Sequence, residues 1–254
     1  MQYILSVIPG EVTTRPPRVL PAHMAYRIGP DSTLLRRDLP LQTRGGLLAF
    51  TDRDAPQVND PQALCDAVLR ECNRRSYQAV LADLEPPLRR DLLQFARLLA
   101  PLLHSSKRPL FLPESYARQV TRSSPIICTA LSGGELTERL KQALADFPQS
   151  RPALDVQRLR MDFPLPARTG EGRALTAQEL HTLLEERRPS VFFSPALCTR
   201  YFTYMQNSVA HFVLYDDAET LHRKVRIGES LGFGTAIFQW PEICDIADDL
   251  FRCL

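Results

Sequence analysis

The chain has 254 residues, of which 44% are hydrophobic and 24% charged, and this composition indicates a globular protein with a full hydrophobic core rather than a disordered one. Its 31 basic and 29 acidic residues leave a net charge of +2, and the arginines are scattered, so the charge pattern predicts neither a nucleic acid nor an anionic membrane as partner. No apolar run reaches the roughly 18 to 20 residues of a membrane helix, and the N-terminal segment lacks the basic start of a secretory signal. We therefore expect a cytoplasmic protein.

The cysteines and histidines do not follow the spacing of a metal site or a disulfide framework. No two of the six cysteines form a C-x-x-C pair, and the five histidines form no H-x-x-x-H pattern. We expect reduced thiols and no metal or other cofactor.

Apolar segments of strand length alternate with amphipathic helical patterns along the chain. The predicted strands are 3–9, 18–28, 45–52, 77–85, 108–114, 124–131, 155–166 and 233–240. Helices with one apolar stripe lie between several of them, and the first follows Asp60 as N-cap, with Leu64, Val68 and Cys72 on one face. Eight strands with covering helices predict an α/β protein with the (β/α)8 TIM-barrel fold, as a single domain over residues 1–254.

The regular alternation stops late in the chain. A capping box from Thr176 to Glu179 starts a helix, and short aromatic strand-like pieces follow it between residues 190 and 217. We expect a small α+β insertion over residues 168–217, before the last helix and strand. At its end, Asp216 and Glu219 have the spacing of a further capping box, which predicts a structural role for this acidic segment.

Two carboxylates mark the end of the fourth predicted strand, in the segment YQAVLADLEPP (77–87). Because side chains alternate along a strand, Leu81, Asp83 and Glu85 share one face, and the double proline places Glu85 at the C-terminal rim. Barrel enzymes keep their catalytic groups at that rim. Two carboxylates about 6 to 7 Å apart raise each other's proton affinity, which suits a general acid. The alternative is that they cap a helix or pair with arginines.

The segment HFVLYDDAETLHRKVRIGESLGFGTAIFQW (211–240) resembles the C-terminal end of family 18 glycoside hydrolases, the chitinase-like enzymes. The segments before it resemble the spore-germination and cell-wall members of that family. The resemblance implies that the catalytic pattern D-x-x-D-x-D-x-E falls on Gln78, Leu81, Asp83 and Glu85, of which only the last two match. Glu85 would be the general acid, and Asp83 would orient the substrate's N-acetyl group, whose carbonyl oxygen acts as the nucleophile.

Other positions matching the family's substrate cleft are less complete. Trp240 matches an aromatic residue that stacks on the sugar, with a core or rim tryptophan as the alternative and Phe238 as an alternative occupant of that position. Glu114 and Asp162, near the ends of the fifth and seventh predicted strands, are further substrate-binding candidates. Ala130 and Leu131 stand where the family has Tyr and Asp.

Two functions follow from these observations. The first is a glycoside hydrolase acting on an N-acetylglucosamine-containing glycan, such as chitin oligomers or peptidoglycan fragments. The second is a catalytically inactive barrel that binds a glycan or a protein partner, because Gln78, Leu81, Ala130 and Leu131 depart from the family pattern. A peptidoglycan substrate would also make a spore-associated location an alternative to the cytoplasm.

Overall fold

Eight parallel strands close into a barrel in the computed structural model, which describes residues 1–8, 10, 18–37, 44–167 and 172–254. In chain order the strands are β1 (Gln2–Val7), β2 (Val19–Gly29), β3 (Thr33–Arg36), β4 (Leu47–Thr51), β5 (Ala79–Asp83), β6 (Leu110–Pro113), β7 (Ser124–Cys128), β8 (Ala153–Asp155), β9 (Arg160–Pro164), β10 (Arg173–Ala174), β11 (Phe192–Ser194), β12 (Thr199–Gln206), β13 (Val209–Tyr215) and β14 (Thr235–Gln239). Around the barrel the strands follow the order β1, β2, β4, β5, β6, β7, β8 and β14, and β14 pairs with β1. The predicted TIM-barrel fold is confirmed. Residue 9, the end of the first predicted strand, lies outside the described residues.

Eight α-helices lie within the described residues; most of them surround the barrel, and the fifth packs against a second sheet. They are α1 (Pro61–Arg75), α2 (Arg90–Ser105), α3 (Glu114–Ala117), α4 (Leu136–Asp146), α5 (Ala177–Arg187), α6 (Ala218–Leu231), α7 (Trp240–Ile243) and α8 (Ala247–Cys253). The first begins where the sequence predicts, because the Asp60 carboxylate accepts a hydrogen bond from the Ala63 N–H. Pro61 suits the first helical position, since the backbone N–H that proline lacks would have no partner within the helix there. None of the helices within the described ranges combines the length and the hydropathy that a membrane span requires.

The barrel strands separate two hydrophobic layers. The inner layer fills the barrel and includes Ile4, Ala49, Leu81, Phe111 and Ile237. The outer layer lies between strands and helices, and Val80 and Ala82 belong to it. The alternation predicted for the fourth strand is therefore present, with Leu81 facing the barrel axis. Because Asp83 lies two residues further along the same strand, its side chain points to the axis as well.

A second, antiparallel sheet lies beside the barrel, with the strand order β10, β9, β13, β12 and β11. One face packs against α5 through a separate cluster that includes Leu180, Phe202 and Val213. This sheet begins at β9, whereas the predicted insertion begins at residue 168. Residues 168–171 lie outside the described residues, and the insertion over residues 168–217 stays a prediction.

The predicted seventh strand, 155–166, is wrong as a single barrel strand. Its first residue ends β8, and its later residues form β9 in the second sheet. Between the two strands, carboxylates accept the backbone N–H groups: Glu242 accepts from Arg158 at 3.0 Å, and Asp216 accepts from Leu159 at 3.0 Å. The ladder of backbone hydrogen bonds ends there, so the chain can leave the barrel.

The acidic segment before α6 has a different structure from the predicted capping box. Asp217, rather than Asp216, is the N-cap, and its partner in the capping box is Thr220 rather than Glu219. Asp216 is fully buried and pairs with the equally buried Lys224 at 2.7 Å. The spacing of the two neighbouring aspartates allowed either register, and the buried ion pair selects the observed one.

Candidate functional site

A cavity of about 380 Å³ opens at the C-terminal end of the barrel strands. Its polar lining comes from β5, β6, β7, β8 and β14 and the residues just after them: Asp83, Glu85, Glu114, Ser115, Cys128, Asp155, Gln157 and Gln239. Apolar side chains of the inner layer, Leu81, Ile126 and Ile237, form its floor. The carboxyl ends of the strands therefore bring several acidic and amide groups to one concave site, as in barrel enzymes generally.

A larger groove, of about 1120 Å³, lies at the opposite end of the barrel, where α2, α3 and α4 lead into the next strands. Its charged lining is mostly basic and includes Lys107, Arg122 and Arg151. Among the described residues that line it, Asp146 is the one carboxylate, and the N-terminal face of such barrels usually serves stability. The smaller cavity is therefore the better candidate for a catalytic site, in spite of its size.

Asp83 and Glu85 both line the C-terminal cavity, so the structure brings together the two residues that the sequence selected. Asp83 is the last residue of β5, where it pairs with Thr51 of β4. The segment after β5 is held by Asp52, whose carboxylate accepts the Glu85 backbone N–H at 2.8 Å. This contact fixes the backbone of Glu85 beyond the end of the strand.

Loss of hydration, together with the neighbouring carboxylates, raises the proton affinity of Asp83. Part of Asp83 is exposed at the mouth of the cavity, but the cavity walls remove much of the water from its carboxylate. This loss of hydration, followed by the negative charges of Glu85 and Asp52, raises the pKa of Asp83, and Arg53 opposes the shift. The same loss of hydration raises the pKa of Asp52, which is buried. Asp83 therefore holds a proton more readily than an aspartate in water does.

Glu85 lies at the rim and forms an ion pair with Arg53. The Arg53 Nε atom is 3.0 Å from Glu85 Oε1, and the side chains are 73% and 47% exposed. Pairing with an arginine was the alternative that the sequence left open for these carboxylates. The contact engages Oε1 of the Glu85 carboxylate.

Three residues of the cavity were missed by the sequence analysis and form a hydrogen-bonded chain. Gln157 Nε2 donates to Asp155 Oδ2 at 2.7 Å, and Cys128 Sγ donates to Gln157 Oε1 at 3.5 Å. Burial, followed by the negative charge of Glu242, raises the pKa of Asp155 to about 7, while the Gln157 contact opposes this shift. Burial also raises the pKa of the Cys128 thiol to about 11, so this thiol stays protonated.

A signal for these residues was present in the sequence. Asp155 and Gln157 have the same two-residue spacing as Asp83 and Glu85, and both pairs follow an apolar strand. Because residues 155–166 were predicted to be one strand, Asp155 was assigned to the start of a strand instead of its end. That error placed it at the wrong end of the barrel.

The other predicted substrate-binding residues have different locations. Glu114 lines the cavity and pairs with Arg118 at 2.6 Å and also with Arg139. Asp162 lies in β9 of the second sheet, away from the barrel rim, where it accepts from the Tyr204 hydroxyl at 2.8 Å. The structure therefore brings Glu114 to the site and leaves Asp162 outside it; their roles in binding stay predictions.

The aromatic candidates do not belong to the cavity lining. Phe238 is 0% exposed and belongs to the outer layer, with ring contacts to Tyr3 and Phe251. Trp240 begins α7 and packs, half-buried, against the same layer. Gln239, between them, faces the cavity instead. The core alternative given for Trp240 therefore agrees with its packing, and stacking on a sugar stays a prediction.

No protein-family model matches this sequence, and no curated protein matches it. The fold, in contrast, is similar to several solved structures. The spore cortex-lytic enzyme SleL of Bacillus cereus is 15% identical, with a TM-score of 0.64 over 99% of this chain and 73% of that one. A chitinase of Chromobacterium violaceum is 12% identical, with a TM-score of 0.67 over 100% and 98% of the two chains. A GH18 chitinase of Cycas revoluta in complex with (GlcNAc)3 is 11% identical, with a TM-score of 0.64 over the same shares. The resemblance found in the sequence is thus confirmed at the level of the fold.

Proposed function

We propose that the protein is a glycoside hydrolase that acts on an N-acetylglucosamine-containing glycan, such as chitin oligomers or peptidoglycan fragments. The observation that carries this proposal is the pair Asp83 and Glu85, which line one cavity at the C-terminal end of the barrel. Solved structures with this fold include chitinases and a spore cortex-lytic enzyme, and one holds an N-acetylglucosamine oligomer. Since a fold hosts many activities, the argument rests on the site and the fold together.

In the proposed reaction, Glu85 is the general acid and protonates the glycosidic oxygen as the bond breaks. The substrate's acetamido carbonyl oxygen attacks the anomeric carbon, so the protein itself supplies no covalent nucleophile. Asp83, as a carboxylate, accepts the acetamido N–H and stabilises the positive charge that develops on the amide. Water then attacks the anomeric carbon of the cyclic intermediate, and Glu85, now a carboxylate, takes a proton from that water as general base, which restores the acid and re-forms the acetamido group. Because burial raises the pKa of Asp83, we expect activity to fall at acid pH as this carboxylate is protonated.

A second candidate function is binding of the glycan without cleavage. The specific observation in its favour is the Arg53–Glu85 ion pair, which must open or rearrange before Glu85 can carry a proton. Leu131, where the family pattern has a polar residue, packs against the outer layer instead of the cavity. This arrangement is compatible with a site that holds sugar but has lost turnover.

Replacement of Glu85 by Gln tests the proposal. The amide is of similar shape but cannot transfer a proton, so we expect cleavage of (GlcNAc)4, (GlcNAc)6 or a muropeptide between pH 4 and 8 to fall by about 10² to 10⁴. Binding of (GlcNAc)4, measured by calorimetry, should stay within about threefold. Glu138, an exposed residue of α4 paired with Lys141, supplies the matched control as Glu138→Gln.

Three other outcomes have distinct meanings. Cleavage that is equal in the wild type and Glu85→Gln would remove Glu85 from the mechanism. Binding by the wild type without any cleavage would favour the second candidate. If the wild type neither binds nor cleaves these glycans, both functions are refuted.

A further inference from the structure

The side chains of Cys128, Asp155 and Gln157 occupy the wall of the cavity formed by β7 and β8, on the other side from Asp83 of β5. Their contacts fix the orientation of the Gln157 amide. Its oxygen faces the Cys128 thiol, which is a donor at any ordinary pH, and its nitrogen faces an oxygen of Asp155. The Cys128 Sγ atom also lies 3.9 Å from the Ala130 carbonyl oxygen, so the stronger constraint is the Asp155 contact: the reverse orientation would set the amide oxygen against that carboxylate oxygen at 2.7 Å. Gln157 is therefore held with its –NH2 group on the Asp155 side.

An amide nitrogen carries two hydrogens, and only one of them is used in this arrangement. Gln157 Nε2 donates to Asp155, and it has no second acceptor among the residues that the structure describes. Asp155 Oδ1 is also buried without a partner within the same described ranges. Buried polar groups in proteins are nearly always paired, and exceptions mark functional positions or bound ligands and water. Asp155 Oδ1 is such an exception, and the second N–H of Gln157, which is partly exposed, lines the same candidate site.

The two sides of the cavity differ in hydrogen-bonding character. Asp83, as a carboxylate, can only accept, whereas the second N–H of Gln157 can only donate. A secondary amide matches this pair, because its N–H and its carbonyl oxygen point in opposite directions. A sugar hydroxyl in the same place lacks the fixed pairing of one donor and one acceptor on opposite sides.

We infer that Gln157 is a substrate-binding residue that donates its second N–H to the carbonyl oxygen of an acetamido group whose own N–H is accepted by Asp83. Asp155 is a positioning residue, because its contact with Nε2 holds the Gln157 amide in the orientation that this requires. The inference rests on the proposed function and deepens it, since it assigns the selection of N-acetylated over non-acetylated sugar to one side chain.

The test compares the affinities of (GlcNAc)4 and cellotetraose, a neutral oligosaccharide with hydroxyl in place of acetamido, by calorimetry. We expect the wild type to prefer (GlcNAc)4. In Gln157→Leu, the affinity for (GlcNAc)4 should fall about tenfold, the usual consequence of losing a buried hydrogen bond, while that for cellotetraose should stay unchanged. Gln157→Glu, which replaces the donor by an acceptor of similar shape, should lower the preference at least as far.

Variants of Asp155 separate positioning from direct contact. Asp155→Asn retains an oxygen that can accept from Gln157 and should keep most of the preference, whereas Asp155→Leu should lose it as Gln157→Leu does. Gln94, which is exposed on α2, supplies the control Gln94→Leu and should match the wild type.

Each outcome bears on a different claim. If the wild type binds neither sugar, the proposed function fails and takes this inference with it. If the wild type prefers (GlcNAc)4 and both Gln157 variants keep that preference, the inference alone is refuted. The inference alone is also refuted if the wild type binds both sugars equally well. Thermal melting of each variant identifies one that has failed to fold, and Gln157→Glu then replaces Gln157→Leu.

Discussion

Asp155→Asn should make the thermal stability of the protein less sensitive to pH. The folded protein raises the pKa of Asp155 from the ordinary value of 3.8 to about 7, because the group is buried and faces the negative charge of Glu242. The groups around it are Gln157, which donates to it, and three acids: Asp83 from β5, Cys128 from β7 and Glu242 from α7. None of these supplies a positive charge, so ionisation of Asp155 destabilises the folded state.

The direction and size of the effect follow from proton linkage. Below about pH 4, Asp155 is neutral in both the folded and the unfolded chain, and its full contribution to stability is present. As the pH rises to about 7, the unfolded chain releases this proton more readily than the folded protein does, so stability is lost. The interval from 3.8 to about 7, at about 1.4 kcal/mol per pH unit, corresponds to a loss of about 4 kcal/mol. Asparagine has no such proton to lose.

The assay is thermal melting of the wild type and Asp155→Asn from pH 4.5 to 8.5, followed by circular dichroism and by the fluorescence of Trp240, the sole tryptophan. At about 2 to 4 °C per kcal/mol for a chain of this size, the Tm of the variant should rise relative to the wild type by on the order of 10 °C between the two pH limits. Any cost of burying the extra amide hydrogens is independent of pH and cancels in this comparison. Asp66→Asn, at an exposed position of α1, should run parallel to the wild type. A Tm difference that stays within about 2 °C over the whole range would refute the reasoning.

Two further predictions concern stability. Lys224→Met leaves the Asp216 carboxylate buried without its counter-ion, and we expect the free energy of unfolding, measured with a chemical denaturant, to fall by about 3 to 5 kcal/mol. Adding Asp216→Asn should recover part of this loss, and an unchanged unfolding midpoint in Lys224→Met would contradict the prediction. Gly228→Ala places a methyl group against the Leu154 side chain in the packed layer between α6 and β8, and it should cost about 1 to 3 kcal/mol. The double variant with Leu154→Ala should lose this extra cost in a double-mutant cycle, and full additivity would show that the two sites do not interact.

The sequence predicts the fold well where hydrophobic periodicity and local capping agree. The fourth strand lies within the predicted range 77–85 and ends at Asp83, two residues before the predicted end, because the alternation of Leu81 and Asp83 and the following prolines limit it locally. The strand prediction fails where one apolar pattern continues across two sheets, as in residues 155–166. The information that ends β8 comes from Glu242 and Asp216, which are distant in sequence and accept backbone N–H groups there. A single strand pattern cannot contain that information.

The candidate site was likewise only partly predictable from the sequence. Asp83 and Glu85 could be found because two carboxylates on one face of a strand are visible locally. The neighbours from other strands that shift the pKa of Asp83 could not: Asp52 and Arg53 follow β4. Asp155, whose own pKa Asp83 helps to raise, is the last residue of β8. Their proximity is created by the barrel. The alternation that places Gln239 in the cavity also removes Phe238 from it, and this could be predicted only with the strand phase known.

The position of the second sheet between β8 and β14 has a consequence for the order in which the molecule can assemble. Ala153 of β8 pairs with Thr235 of β14, and β14 also pairs with β1, which contains Gln2. The barrel therefore has two unpaired strand edges until β14 is available, after the whole antiparallel sheet has been synthesised. Contacts so distant in sequence slow folding, and open strand edges invite pairing with other chains. A released chain truncated before residue 235 should therefore be open and sensitive to protease, whereas a chain that includes β14 can close the barrel.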